Sequence, residues 1–336
     1  DNGTAVLTLN WTITDIGRGT FWSVGTGALD TVDINSSLTT TAGALTVKNA
    51  ESVTLSNFTI TCARDVRAAT NVGAIDLDGA GNVVVTSNSG SVNLGAVTDS
   101  AAVDLLDINA GTGVTLSSVT LDGLGANAVD VDFDVTASGA VSAQLGGSVS
   151  GGAVTVNGDA LDDTIEVNGD ISASGILTLG SAALVSIDAS AARTLASGGA
   201  MDLSTNVSGV QLDGGSALVT LDGNGDALVS VAALTDDGVG GTAADLTIDS
   251  EGGVTFSTIG LNDTADGALI ITVDSNDNGT AVLTLNGTIT DIGAGTFGSG
   301  GTGALETIDI NSRLTTTAGE LTVKNAAAVT HSNVTL

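Results

Sequence analysis

The residues best equipped for chemistry in this 336-residue chain are aspartates at alternating positions. Asp274, Asn276 and Asn278 stand in the run Asp274-Ser275-Asn276-Asp277-Asn278-Gly279, and Asp222, Asn224 and Asp226 in Asp222-Gly223-Asn224-Gly225-Asp226. Oxygen ligands at every second residue with a glycine bend are what a short loop needs to wrap one hard cation, so calcium is the cofactor these turns would take. The position at which a helix-loop-helix calcium site would close with glutamate is Leu285, which excludes that motif and requires further ligands from elsewhere. A third acidic turn runs from Asn157-Gly158-Asp159 to Asp162-Asp163. Each of these reads equally as a plain turn in which aspartate and asparagine bond their own backbone. Asp130, Asp132 and Asp134 alternate with Val129, Val131, Phe133 and Val135; on a strand they would share one face about 7 Å apart. That face would line a cation site or a polysaccharide cleft, or simply meet solvent.

Catalytic arrangements are not in view. The seven cations, Arg18, Lys48, Arg64, Arg67, Arg193, Arg313 and Lys324, are scattered apart from Arg64 and Arg67, and the one histidine is His331. A polysaccharide lyase needs a strong base with cationic support, and a hydrolase needs paired carboxylates in a cleft. The sequence holds no nucleophile elbow, phosphate loop or cysteine–histidine metal cluster. The expectation is a protein that is not an enzyme, with polysaccharide degradation the weakest of the readings. A net charge of −31 argues against nucleic acid and against anionic membrane surfaces. No apolar run has the length of a membrane span. Cys62 is the only cysteine, so no disulfide can form within the chain.

What must position these groups is a repeat. Residues 277–336 copy residues 1–60 at a constant offset of 276, with 47 of sixty positions identical. Self-similarity of this kind sets the architecture. The expected organisation is one full unit over 1–276, continued by the start of the next over 277–336. Three of the differences are Trp11, Arg18 and Trp22, which become Gly287, Ala294 and Gly298. Tryptophans lost from a core would leave large voids. They are therefore expected at the surface, as a contact for a glycan or a neighbouring subunit, or as a cap.

Within the unit, apolar–polar–apolar triplets recur, such as Leu7-Thr8-Leu9, Val114-Thr115-Leu116, Leu177-Thr178-Leu179 and Val254-Thr255-Phe256. This is the period-two alternation of half-buried strands, and threonine suits it because its branched Cβ fits a pleated backbone. Small-residue starts before such triplets recur from Ala74 to Ala268 at a mean step of about 24 residues, the length of one β-solenoid coil. The absence of proline fits a fold in which nearly every strand donates to a ladder. With 33 aspartates against five glutamates, the charge is expected at bends between strands. The fold class expected is all-β, a right-handed parallel β-solenoid with coils of about 24 residues. The alternative is a string of β-sandwich domains, which would ordinarily show buried aromatic anchors.

These glycine-, aspartate- and threonine-rich, aromatic-poor coils resemble the repetitive regions of large bacterial surface proteins of the filamentous-haemagglutinin-like and autotransporter-like adhesin type, which are parallel β-helices. The resemblance covers the whole chain and is one of style, without a defining motif. It implies a structural component of an extracellular filament, stalk or surface layer, at the cell surface or outside it. An adhesin or glycan-binding module is the alternative. The implied partners are neighbouring copies of the chain, end-to-end or lateral, and glycans, with neither nucleic acid nor membrane insertion.

Overall fold

The computed structural model describes residues 5–22, 29–56, 58–79, 81–123, 126–136, 139–159, 162–224, 227–237, 243–261, 267–273, 282–299, 307–317 and 319–331. Among the described residues there is no helix, and every strand pairing given below is parallel. The chain divides into two compact units, 1–169 and 170–336. The boundary between sequence copies, at 276/277, falls inside the second unit. Each unit is a parallel β-solenoid with coils of about 24 residues, as the triplet spacing predicts.

In the first unit a coil consists of three short strands. The first coil is Val6–Leu9, Ile13–Ile16 and Gly19–Trp22, and the second is Leu29–Ile34, Leu38–Thr40 and Leu45–Lys48. Each strand lies on its counterpart one coil earlier. Leu9 is in register with Ile34, Ile34 with Leu55 and Leu55 with Leu77. On another side Ile60, Val85, Ile108, Val131 and Val156 form one inward column. All five are buried. Parallel in-register stacking puts like beside like, so the core is a set of aliphatic ladders. The rings of Phe58 and Phe133 join it without changing its character. Cys62 stands in a buried column of small residues, between Thr40 and Ser87. Burial pushes its thiol up, against hydrogen bonds from Thr40 and Leu45 that lower it, which makes it an inert small core residue.

The second unit repeats the plan. Leu195, Leu221, Ile248, Ile271 and Phe297 form one column and Val185, Val210, Leu234 and Ile259 another. All nine are buried.

The sequence copies fold alike. Val282–Leu285 repeats Val6–Leu9, Leu314–Thr316 repeats Leu38–Thr40, and Leu321–Lys324 repeats Leu45–Lys48. Asp15 and Asp291 both adopt positive φ, at 59° and 55°, and Asn49 and Asn325 both do so at 53°. The polar ladder is reproduced as well. The Asn35 side-chain amide donates to Asn10 Oδ1 at 3.0 Å and to Asp33 Oδ2 at 2.9 Å; that of Asn311 donates to Asn286 Oδ1 at 3.1 Å and to Asp309 Oδ2 at 2.9 Å.

The aspartates correct one expectation. Many sit on strands, not at bends: Asp33, Asp76, Asp107, Asp130, Asp222 and Asp249 all occupy outward strand positions. The reason is the ladder itself. An outward carboxylate has the next coil's hydroxyl or amide within reach, as where Thr330 Oγ1 donates to Asp309 Oδ1 at 2.8 Å and Ser100 Oγ to Asp76 Oδ2 at 2.8 Å.

Candidate metal centre and contact surface

Among the described residues, three acids converge closely enough to share an ion: Asp134, Asp159 and Asp163 each offer a carboxylate oxygen within 4.8 Å of the others. Asp134 and Asp163 are fully buried and Asp159 is exposed. The strand Ala128–Asp132 carries the chain to this corner. Phe133 then turns inward and is buried, and its N–H donates to Asn157 O of the next coil at 2.9 Å. Asp134 takes φ +52°, and its N–H donates to Thr112 O at 3.0 Å. That left-handed residue ends the strand alternation, so Asp134 leaves the outward face that Asp130 and Asp132 share. The expected row of three carboxylates is therefore two on a half-exposed face and one folded into the corner. Asp159 and Asp163 reach the same corner from one coil later. Asp163 accepts the Val141 N–H at 3.2 Å through Oδ1.

Three carboxylate oxygens at this separation can surround one cation at the 2.3–2.6 Å that calcium prefers. Two of the three carboxylates are fully buried, and a divalent ion would offset their charge. The sequence exposed both halves of this arrangement without joining them. Asp134 and Asp159 are one coil spacing apart, and that spacing was the available signal.

The other candidate residues are placed as follows. Asp222 lies on the strand Val219–Gly223, half-exposed, in register with Ala196 on one side and Asp249 on the other. It is thus a ladder residue rather than a turn residue, because Val219 and Leu221 take the inward positions beside it. Asn224 is exposed, and its N–H donates to Ser197 O at 2.7 Å. Asp226, Asp274, Asn276 and Asn278 lie outside the described residues. Trp11 is 84% exposed, as expected, and Arg18 is exposed on the same coil. Trp22 ends the strand Gly19–Trp22, in register with Lys48.

Stacked carboxylates elsewhere feel one another. Asp107 and Asp130 are in-register neighbours on adjacent coils. Burial pushes the Asp130 carboxyl up, and Asp132 and Asp107 push it further. Asp107 is raised mainly by burial too, with the Asn109 side chain opposing and Asp132 adding. Asp213 is raised first by its hydrogen bond with Asp237, then by burial. Asp202 goes the other way: burial raises it, but Thr205 and Ser204 together outweigh that and hold it low.

Comparison with known proteins returned no matching family model, no matching curated protein and no matching solved structure.

Proposed function

We propose that this chain is a structural repeat of an extracellular filament, stalk or surface layer, in which each 276-residue unit adds length to a stack of coils. The observation that carries this reading is the agreement between the copies. Of sixty positions 47 recur, and the described ones share the strands at 6–9, 38–40 and 45–48, the same positive-φ asparagine and aspartate, and the same asparagine ladder. A sequence that adopts the same coil plan in both copies is suited to extension by duplication, because each coil needs only its neighbours. The resemblance to filamentous-haemagglutinin-like surface proteins supports the same reading. Calcium is its proposed ligand at Asp134, Asp159 and Asp163, where it would tie two successive coils together at one corner.

Immunogold labelling of intact source cells with antibody against the chain tests the proposal. Label along fibres or a layer outside the envelope is the expected result; label confined to the cell interior overturns it.

The exposure of Trp11 favours a second reading, a glycan-binding module. Stacking on a sugar ring would use the free indole face. A glycan array probed with the chain and with Trp11→Ala separates the two: binding that disappears in the variant moves the weight to an adhesin.

A further inference from the structure

The cations are scattered in the sequence, but the fold gathers those of the first unit. All four, Arg18, Lys48, Arg64 and Arg67, belong to one corner and the strands that leave it. Arg18 stands in the turn before Gly19–Trp22, and the Gly19 N–H donates to Ala44 O at 3.1 Å. The Leu45 N–H donates to Asp65 O, and the Val66 N–H to Ser91 O, both at 2.9 Å. The corner column over four successive coils is therefore Arg18, Ala44, Asp65 and Ser91, with Arg64 next to Asp65. On the strands beyond it Arg67 lies in register between Thr46 and Asn93, and Lys48 ends Leu45–Lys48. Residues 19–22, 45–48, 66–68 and 92–94 on these strands include no acid.

Arg64 and Arg67 are exposed although coils pack on both sides of theirs. The one carboxylate of the corner column is already engaged. Asp65 accepts from Arg67 Nη2 at 2.5 Å, from the Ser91 N–H at 2.9 Å and from Ser91 Oγ at 3.4 Å. Asp15 and Glu51 fall outside the column, on Ile13–Ile16 and Ala50–Leu55. Among the described residues neither Arg18 nor Arg64 is held in an ion pair.

The second copy builds the same corner with the opposite charge. The Gly295 N–H donates to Glu320 O at 3.1 Å, just as Gly19 does to Ala44, yet Arg18 has become Ala294 and Ala44 has become Glu320. The backbone plan of this corner therefore does not need Arg18, and exposed charges of this kind add little stability.

We infer that the corner of the first unit binds an anionic glycan, a polysaccharide carrying carboxylate or sulfate groups. A guanidinium offers a planar fork of donors that matches such groups. Arg18 and Arg64 are two coils apart, about 10 Å along the stack at the ordinary strand spacing, close to the length of two linked sugars. Gly43 and Ala44 leave the ground between them low. A glycan laid along the stack sets successive acidic groups on the two arginines. The cationic row is narrow and the chain around it carries a net charge of −31, which repels a broad polyanionic surface and admits a thin, flexible strand. Ligand and residues both differ from those of the Trp11 reading, and the inference does not depend on it.

The test measures binding of the full chain to immobilised dextran sulfate and polygalacturonate, with neutral dextran as reference. It is run at about 0.15 M salt, where charges more than about 8 Å away are screened. Binding to at least one polyanion and not to dextran is expected. Arg18→Ala with Arg64→Ala, and separately Ala44→Glu, are expected to weaken it at least tenfold with melting temperatures unchanged. Trp11→Ala, and Arg313→Ala in the second unit, are expected to leave it intact. No binding to either polyanion overturns the inference, as does equal binding by the corner variants or a loss confined to Trp11→Ala. Light scattering is the last arm: self-association of the chain that vanishes in the corner variants, without glycan binding, would make the corner an interface between copies and overturn the inference too.

Discussion

Asp134 and Asp163 bring carboxylate oxygens within 4.8 Å of each other although both side chains are fully buried, one coil apart in the first unit. A divalent cation held between them would tie the two coils together. Calcium is therefore expected to raise the melting temperature of the chain. At a hundredfold excess over its dissociation constant the gain is about 2.7 kcal/mol. Asp163→Asn is expected to abolish that response, and Asp222→Asn to leave it intact. A calorimetric scan with calcium and with chelator checks this; a melting temperature indifferent to calcium sinks the site.

Asp130 gives the opposite pH dependence from a salt-bridged aspartate. Its carboxyl is raised in the folded chain by burial, by Asp132 and by Asp107. A raised acid contributes stability fully below its unfolded value and loses that contribution as pH climbs through the folded value. Asp130→Asn is thus expected to raise the melting temperature at pH 7. The advantage should shrink to nothing as pH falls below the ordinary carboxylate value of 3.8. Melting curves of both proteins from pH 3 to pH 8 would show the two converge in acid, and a constant offset across that range would refute it.

Asp202 carries the mirror-image expectation. Burial raises it, but it accepts hydrogen bonds from Ser204 and Thr205, side chains and backbone alike, and these hold it low. A lowered acid stabilises above its unfolded value, and the contribution disappears as pH falls through the folded value. Asp202→Ala should cost about 1 kcal/mol at neutral pH, with allowance for screening at a half-exposed site. The cost should be gone in strong acid. Urea unfolding at two pH values measures it.

Ile108 tests the ladder core. It lies between Val85 and Val131 in an unbroken aliphatic column and is fully buried. Ile108→Ala removes contacts to the coils on both sides at once, and a narrow core has little slack to refill the space. A loss of about 2–5 kcal/mol is expected. By contrast Thr86→Ala, at an outward position one coil earlier, should cost well under 1 kcal/mol. Chemical denaturation of the two variants compares them, and equal costs would mean that the column is not the source of stability.

The fold was legible in the sequence because a solenoid writes its period twice. The triplet alternation of Val154-Thr155-Val156 states which side chains point inward, and the recurrence of such triplets at about 24 residues states what they stack upon. The site was harder to read. Alternation over Val129–Val135 predicts a row of three carboxylates, and it fails at Asp134 because one left-handed residue, a local choice of φ, ends the strand. Asp222 was misplaced for a related reason. Glycine and asparagine on either side suggest a turn, yet the inward demand of Val219 and Leu221 on a stacked strand overrides that local chemistry. The exposure of Trp11 followed from comparing the copies.

The parallel register has a consequence for how such a chain comes into being. Nearly every ladder bond joins residues only one coil apart, 25 positions for Asn35 and Asn10 and 22 for Gln144 and Glu166. Nothing in a finished coil waits for a distant segment to be synthesised. A polypeptide delivered from one end, by a ribosome or through a translocation pore, can set each turn on the template of the last as it emerges. The growing tip is then the edge on which each new coil pairs, and each step forward gives up the freedom to slide back.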